Sequence, residues 1–87
     1  MNLKKHGVEF SEAETAFFDS EALVIPDIEH SNAEERFVLL GLSSKLKLLV
    51  VVHLVKESED TIRIISARKA NKRETTKYTR RQYESTL

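Results

Sequence analysis

The run Arg36-Phe37-Val38-Leu39-Leu40-Gly41-Leu42-Ser43-Ser44-Lys45, continued by Leu46 to Val55 and then by Thr61-Ile62-Arg63-Ile64-Ile65-Ser66-Ala67-Arg68, decides the fold. Residues 36–42 and 46–55 are apolar and strand-prone, and Gly41 with Ser43-Ser44-Lys45 supplies turn chemistry between them, which reads as a hairpin. Leu48 to Val52 is apolar without a break, so this strand is expected to be central, with both faces covered. A charged turn, Lys56–Asp60, leads into a third strand over Thr61–Arg68. Strict alternation there sets Ile62, Ile64, Ser66 and Arg68 on one face and Arg63, Ile65 and Ala67 on the other. Arg63 and Arg68 are therefore expected on opposite faces unless a bulge intervenes.

Working outward toward the N-terminus, Leu23-Val24-Ile25 is a short extended run ended by Pro26, which lacks a donor and suits a strand exit, and the polar residues Asp27–Glu34 read as loop. Ser11-Glu12-Ala13-Glu14 fits a capping box, which predicts a helix over 11–19 with Ala13, Ala16 and Phe17 on its buried stripe. The opening Asn2-Leu3-Lys4-Lys5-His6-Gly7 reads as a further short helix stopped by glycine. Toward the C-terminus, residues 69–87 form a basic helix or tail, with Asn71 as a possible cap. Its apolar residues are Ala70, Tyr78, Tyr83 and Leu87, too few to bury a full stripe, so something besides this domain's own sheet is expected to order it.

The whole is one domain of 87 residues, 40% hydrophobic and 32% charged, the make-up of a soluble globule with a thin core. There is no cysteine, so disulfides, thiolate metal sites and cysteine nucleophiles are excluded. No stretch is long and apolar enough for a membrane span, and Met1–His6 lacks the apolar core of a leader, so a cytoplasmic protein is expected. His6, His30 and His53 are too dispersed for a zinc motif, and no metal or cofactor is expected. The formal charge is zero, but residues 1–61 hold six cations against twelve carboxylates and residues 62–87 hold eight against two. A division of −6 and +6 suits a surface for phosphates or for an acidic partner, and equally a solvated helix face.

No phosphate loop, nucleophile elbow, His-Glu-x-x-His pair or dinucleotide fingerprint is present. What remains suits RNA cleavage without a metal, which needs a base for the 2′-hydroxyl, cations for the charged phosphorane and an acid for the leaving oxygen. Arg63 and Arg68 are planar forks on a rigid strand, a good form for phosphate, although cross-strand pairing with Glu57 or Glu59 is an ordinary alternative. His6 reads either as an acid or base near neutral pH or as a cation at a helix end. His53, set among valines, reads as a half-buried sheet residue. Tyr78 either stacks on a base or anchors the tail to the sheet. Lys69, Arg73 and Lys77 fall on one side of a helix, with Glu74 and Tyr78 on an adjoining side.

The opening Asn2 to Ala13, then Phe17-Phe18-Asp19, Pro26-Asp27, Glu34-Glu35-Arg36-Phe37, Leu40-Gly41-Leu42-Ser43 and Arg63-Ile64-Ile65-Ser66-Ala67-Arg68-Lys69-Ala70 resemble the BrnT family of toxins, in register over residues 2–78. The resemblance implies an α+β, RelE-like ribonuclease fold: two N-terminal helices packed on a three- to four-stranded, mostly antiparallel sheet, with a C-terminal helix. It implies RNA cleavage that blocks translation, an antitoxin of the BrnA kind with a ribbon-helix-helix DNA-binding fold, and repression of their own operon by the complex. Carried over by position, Arg63 and Arg68 take the phosphate and transition-state charge, His6 or Glu74 transfers protons, and Lys5 and Tyr78 position RNA. Lys69, Lys72, Arg73 and Lys77 extend the basic RNA-binding surface. Relatives open with a strand ahead of the Lys-His-Gly motif, so the first strand of the sheet is expected to be missing here and its edge open to pairing between two copies. The alternatives are a non-catalytic, antitoxin-binding subunit and a generic RNA-binding module.

Overall fold

The structure is a computed structural model that describes residues 4–5, 7–27 and 35–85. Strands β1 (Lys4–Lys5) and β2 (Val8–Glu9) pair antiparallel, Lys4 with Glu9 and Lys5 with Val8, around Gly7 at φ 78°. The expected opening helix is therefore corrected to a two-residue hairpin, in which Gly7 takes the left-handed conformation to turn the chain rather than to cap a helix. Helix α1 (Phe10–Thr15) follows directly and tightens into a 3₁₀ turn over Ala16–Phe18. The expected helix over 11–19 is present in this shorter form. Its capping box is not formed: the cap position is Glu9, without a side-chain cap bond, and Ser11 Oγ instead donates to Glu9 Oε2 at 3.4 Å.

The rest is an antiparallel meander in the order β3 (Leu23–Pro26), β4 (Glu35–Leu42), β5 (Leu48–Lys56) and β6 (Thr61–Lys69), closed by helix α2 (Lys72–Ser85). Strand β5 starts at Leu48 rather than Leu46, because Leu46 turns at φ 61° and its N–H bonds back to Ser43. Strand β5 is central, as its unbroken apolar run implies, and helices pack on both faces of the sheet. On one face, Leu39, Leu49, Val51 and Ala67 close a core with Val8, Ala13 and Ala16, flanked by Phe10, Phe17 and Ile64. Gly41 is needed there: a Cβ on it would lie 2.9 Å from the Ala16 carbonyl oxygen and from Leu39 Cδ2. On the other face, Leu23, Leu40 and Val50 pack beneath Tyr78 of α2, flanked by Leu42, Leu48 and Ala70.

One irregularity changes the reading of β6. Val52 pairs with Ser66, but His53 pairs with Ile64, so Ile65 is an extra residue without a partner on β5. Side chains of paired residues share a face, and a one-residue bulge reverses the alternation beyond it. Arg63, Ser66 and Arg68 consequently lie on the α2 face with Leu54, Val52 and Val50, while Ile62, Ile64 and Ala67 lie on the α1 face. The expectation of opposite faces for the two arginines is overturned by this bulge. Among the described residues no helix is long and apolar enough to cross a membrane.

Candidate functional site

The α2 face of the sheet is built in rows set by register. Arg36, Leu54 and Arg63 form one row across β4, β5 and β6; Val38, Val52 and Ser66 form the next; Leu40, Val50 and Arg68 form the third. Ile25 extends the second row onto β3. Helix α2 covers the third row through Tyr78, whereas Val38, Val52, Leu54 and Ser66 stay only half buried and Ile25 and Arg63 are exposed. The result is an open apolar floor with a guanidinium at either end. Arg63 and Arg68 are separated by four β5 positions, about 14 Å along the strand at ~3.4 Å per residue. They are placed to hold an extended chain at two points rather than to meet on one phosphate.

Arg68 is fixed by the start of α2. Its Nη1 and Nη2 donate to the two oxygens of Glu74 at 2.8 and 2.7 Å, a bidentate pair, and Nη1 also donates to the Lys69 carbonyl at 3.2 Å. Glu74 in turn belongs to a reciprocal capping box: its Oε1 accepts the Asn71 backbone N–H, and its own N–H donates to Asn71 Oδ1, both at 2.8 Å. The Arg68 side-chain bonds above all, with the Asn71 N–H behind them, hold the Glu74 carboxyl below the usual carboxylate range against a partial burial that would raise it. Glu74 raises the affinity of Arg68 for its own proton in the same way. Arg36 lies 3.6 Å from Asp27. Arg63 has no ion pair or hydrogen bond among the described residues and stands in solvent.

Tyr78 is buried, and its hydroxyl donates to Asp19 Oδ2 at 2.6 Å. Asp19 also accepts the N–H groups of Leu42 and Glu21, at 2.8 and 2.9 Å. Burial would raise its carboxyl, but the bonds from Tyr78, Leu42 and Glu21 together bring it below the usual range. Tyr78 thus ties α2 to the joint between the 3₁₀ turn and β4, and its ring faces the core rather than the open floor. This bond, with the Glu74 pair, is the physical answer to how a helix with so few apolar residues is ordered.

The remaining candidates divide. Lys69 pairs with Leu49 and so lies on the α1 side of β6, away from Arg68. Lys72, Arg73 and Lys77 are exposed on α2, where Arg73, Thr76, Lys77 and Arg80 line one basic stripe. Lys5 belongs to β1, whose hairpin lies against β6. His6 and His30 lie outside the described residues. His53 is buried on the α1 face, edge-on to Phe17 at 4.8 Å and stacked on Phe37 at 5.9 Å, its Nδ1 donating to the Val51 carbonyl at 3.3 Å. Burial disfavours its charged form and outweighs that bond. Among the described residues no three His, Asp or Glu side chains gather as a metal centre would require. The sequence reading did not single out Asp19, the Ser66 row or the floor. Only Asn71 left a signal, since Asn-x-x-Glu is itself a capping-box pattern.

A family model described as ribonuclease toxin, BrnT, of type II toxin-antitoxin system matches residues 1–74, a span that takes in Arg63, Arg68, Asn71 and Glu74 and stops before Tyr78. No curated protein matches the chain.

Proposed function

Since the chain belongs to the BrnT family of ribonuclease toxins of type II toxin-antitoxin systems, we propose that it is a metal-independent endoribonuclease whose RNA lies across the open floor between Arg63 and Arg68. The observation that carries this is the sharing of one sheet face by both arginines, with half-buried apolar side chains between them on which a base can rest. In the proposed reaction the 2′-oxygen of a ribose forms a bond to the adjacent phosphorus and the bond from phosphorus to the 5′-oxygen breaks. The 2′-hydroxyl proton passes to a base, and a proton reaches the departing 5′-oxygen. The Arg68 guanidinium is proposed to stabilise the extra negative charge on the phosphorane, and Arg63, four strand positions away, to hold a second phosphate of the same strand. His6 is proposed for proton transfer on its chemistry, since an imidazole can both take and give a proton near neutral pH. Lys72, Arg73 and Lys77 on α2 are proposed to hold flanking phosphates, whereas Lys69, on the α1 side of β6, and Lys5, in the hairpin whose Val8 packs into the α1-face core, are set apart from that path.

Cutting RNA would arrest translation in the cytoplasm, and a type II system supplies a protein antitoxin to prevent it, here proposed to be a BrnA-like ribbon-helix-helix protein. Pairing of two copies through the outer edge of β6 is a further proposal, supported by the position of β6 at the end of the sheet. Expression of the chain alone in a bacterial host tests the reading. Growth arrest relieved by Arg63→Ala and by Arg68→Ala is expected; arrest that neither substitution relieves would remove the basis for it.

A further inference from the structure

Arg68 has five N–H donors in one plane, divided between an end edge formed by Nη1 and Nη2 and a side edge formed by Nε and the second hydrogen of Nη2. Glu74 occupies the end edge through both Nη atoms, and the Lys69 carbonyl takes the remaining Nη1 hydrogen. Three donors are therefore engaged. The other two, Nε–H and one Nη2–H, have no acceptor among the described residues; they lie side by side and make a second planar fork of the kind that fits a phosphate bidentately. The Arg68 side chain is 42% exposed, so Glu74 and the sheet leave part of it open to solvent.

We infer that Glu74 is a positioning residue: together with Asn71 it clamps the end edge of Arg68, so that the side edge is presented to one phosphodiester of the RNA. This rests on the proposed ribonuclease reading, and it gives Glu74 a role other than proton transfer. Each Glu74 oxygen already accepts a charge-assisted bond from Arg68, and Oε1 accepts the Asn71 N–H as well. A carboxylate so saturated is a poor proton carrier and a good orienting group. The arrangement has an electrostatic consequence. Glu74 cancels most of the charge of Arg68, which weakens attraction for an anion, and gives in return a fixed fork that need not reorganise when negative charge develops on phosphorus.

The test compares the full chain with Glu74→Gln, Asn71→Ala and Asn71→Ser, using a mixed-sequence single-stranded RNA for kinetics and inorganic phosphate for side-chain NMR. Glu74→Gln keeps the shape and removes the charge, so kcat is expected to fall about 10- to 100-fold from lost orientation. KM is expected to stay level or fall, because a negative charge beside the phosphate is gone, and the pH profile keeps its shape. Asn71→Ala should lower kcat without touching the substrate, and Asn71→Ser, which restores a cap oxygen, should recover it. Loss of one limb of the pH profile in Glu74→Gln would overturn the inference and make Glu74 a proton carrier. The NMR arm needs no cleavage. Phosphate should shift the Arg68 Nε–H signal while the Nη signals held by Glu74 stay in place, and a shift at those Nη signals with Nε unmoved would overturn the inference. An inactive wild-type chain that still shows the expected Nε shift would count against the nuclease reading and leave the clamp standing.

Discussion

Arg63 and Arg68 are five residues apart on one strand yet point to the same side of the sheet, because Ile65 is bulged out between the pairs His53–Ile64 and Val52–Ser66. Deleting Ile65 would close the bulge and set Ile64 beside Ser66 with their partners His53 and Val52 unchanged, so Arg63 and Arg68 keep the α2 face and Ile64 keeps the α1 face. The variant is expected to fold with a urea midpoint close to that of wild type. A loss of about 2–3 kcal/mol, the burial of one isoleucine, would show that β6 slips its register instead of closing the bulge.

Tyr78 gives a second prediction. Its hydroxyl bonds a carboxylate that also receives two backbone N–H groups, so Tyr78→Phe removes one charge-assisted bond and keeps the ring packed. A loss of about 1–2 kcal/mol is expected, with amide exchange accelerated in α2 more than in β5. Uniform acceleration across the sheet would show that the bond does not tether the helix.

Acid sensitivity should come in two stages. His53 is held in its neutral form, its pKa lowered by burial. Below about 6.5 the unfolded chain binds a proton that the folded chain resists, so stability falls as pH drops through that region. Asp19 and Glu74 are both shifted downward, and the stability they contribute is present above the ordinary carboxylate range and lost as pH falls through their lowered folded values. His53→Phe, which keeps an aromatic ring between Phe17 and Phe37, should flatten the first stage and leave the second. Thermal melts at a series of pH values would check both.

Gly41→Ala tests the close approach of the 3₁₀ turn to the sheet. The added methyl would meet the Ala16 carbonyl oxygen and Leu39 Cδ2, both at 2.9 Å, and a backbone oxygen cannot yield by a rotamer change. A destabilisation of about 1–3 kcal/mol is expected; a neutral result would mean that the turn can move away.

Much of this was legible in the amino-acid order. The apolar runs of β4 and β5 and the alternation of β6 foretold an antiparallel meander, because a strand's burial is written in its side chains. The hairpin at Lys4–Glu9 was not legible: Lys-Lys-x-Gly suits a helix end as well as a turn, and only pairing with Val8 and Glu9 selects the second. The bulge at Ile65 left only a doubled isoleucine, compatible with either register until His53 and Val52 take their partners. The cations were visible as a run, but their grouping was not. Arg68 is drawn to Glu74, Lys69 faces the other side of the sheet, and Arg73 and Lys77 face outward on α2.

Cutting of RNA by this chain's own side chains, without a metal, is measured most directly as cleavage of an end-labelled RNA by the purified full chain in the presence of a strong chelator. Wild type should release discrete fragments, Arg68→Ala should slow that release by about 10²- to 10³-fold, the loss that follows removal of one transition-state donor, and Arg63→Ala should slow it by a smaller factor through weaker binding of the RNA. Fragments formed at the same rate by all three proteins, or none formed by wild type, would contradict cleavage by these side chains.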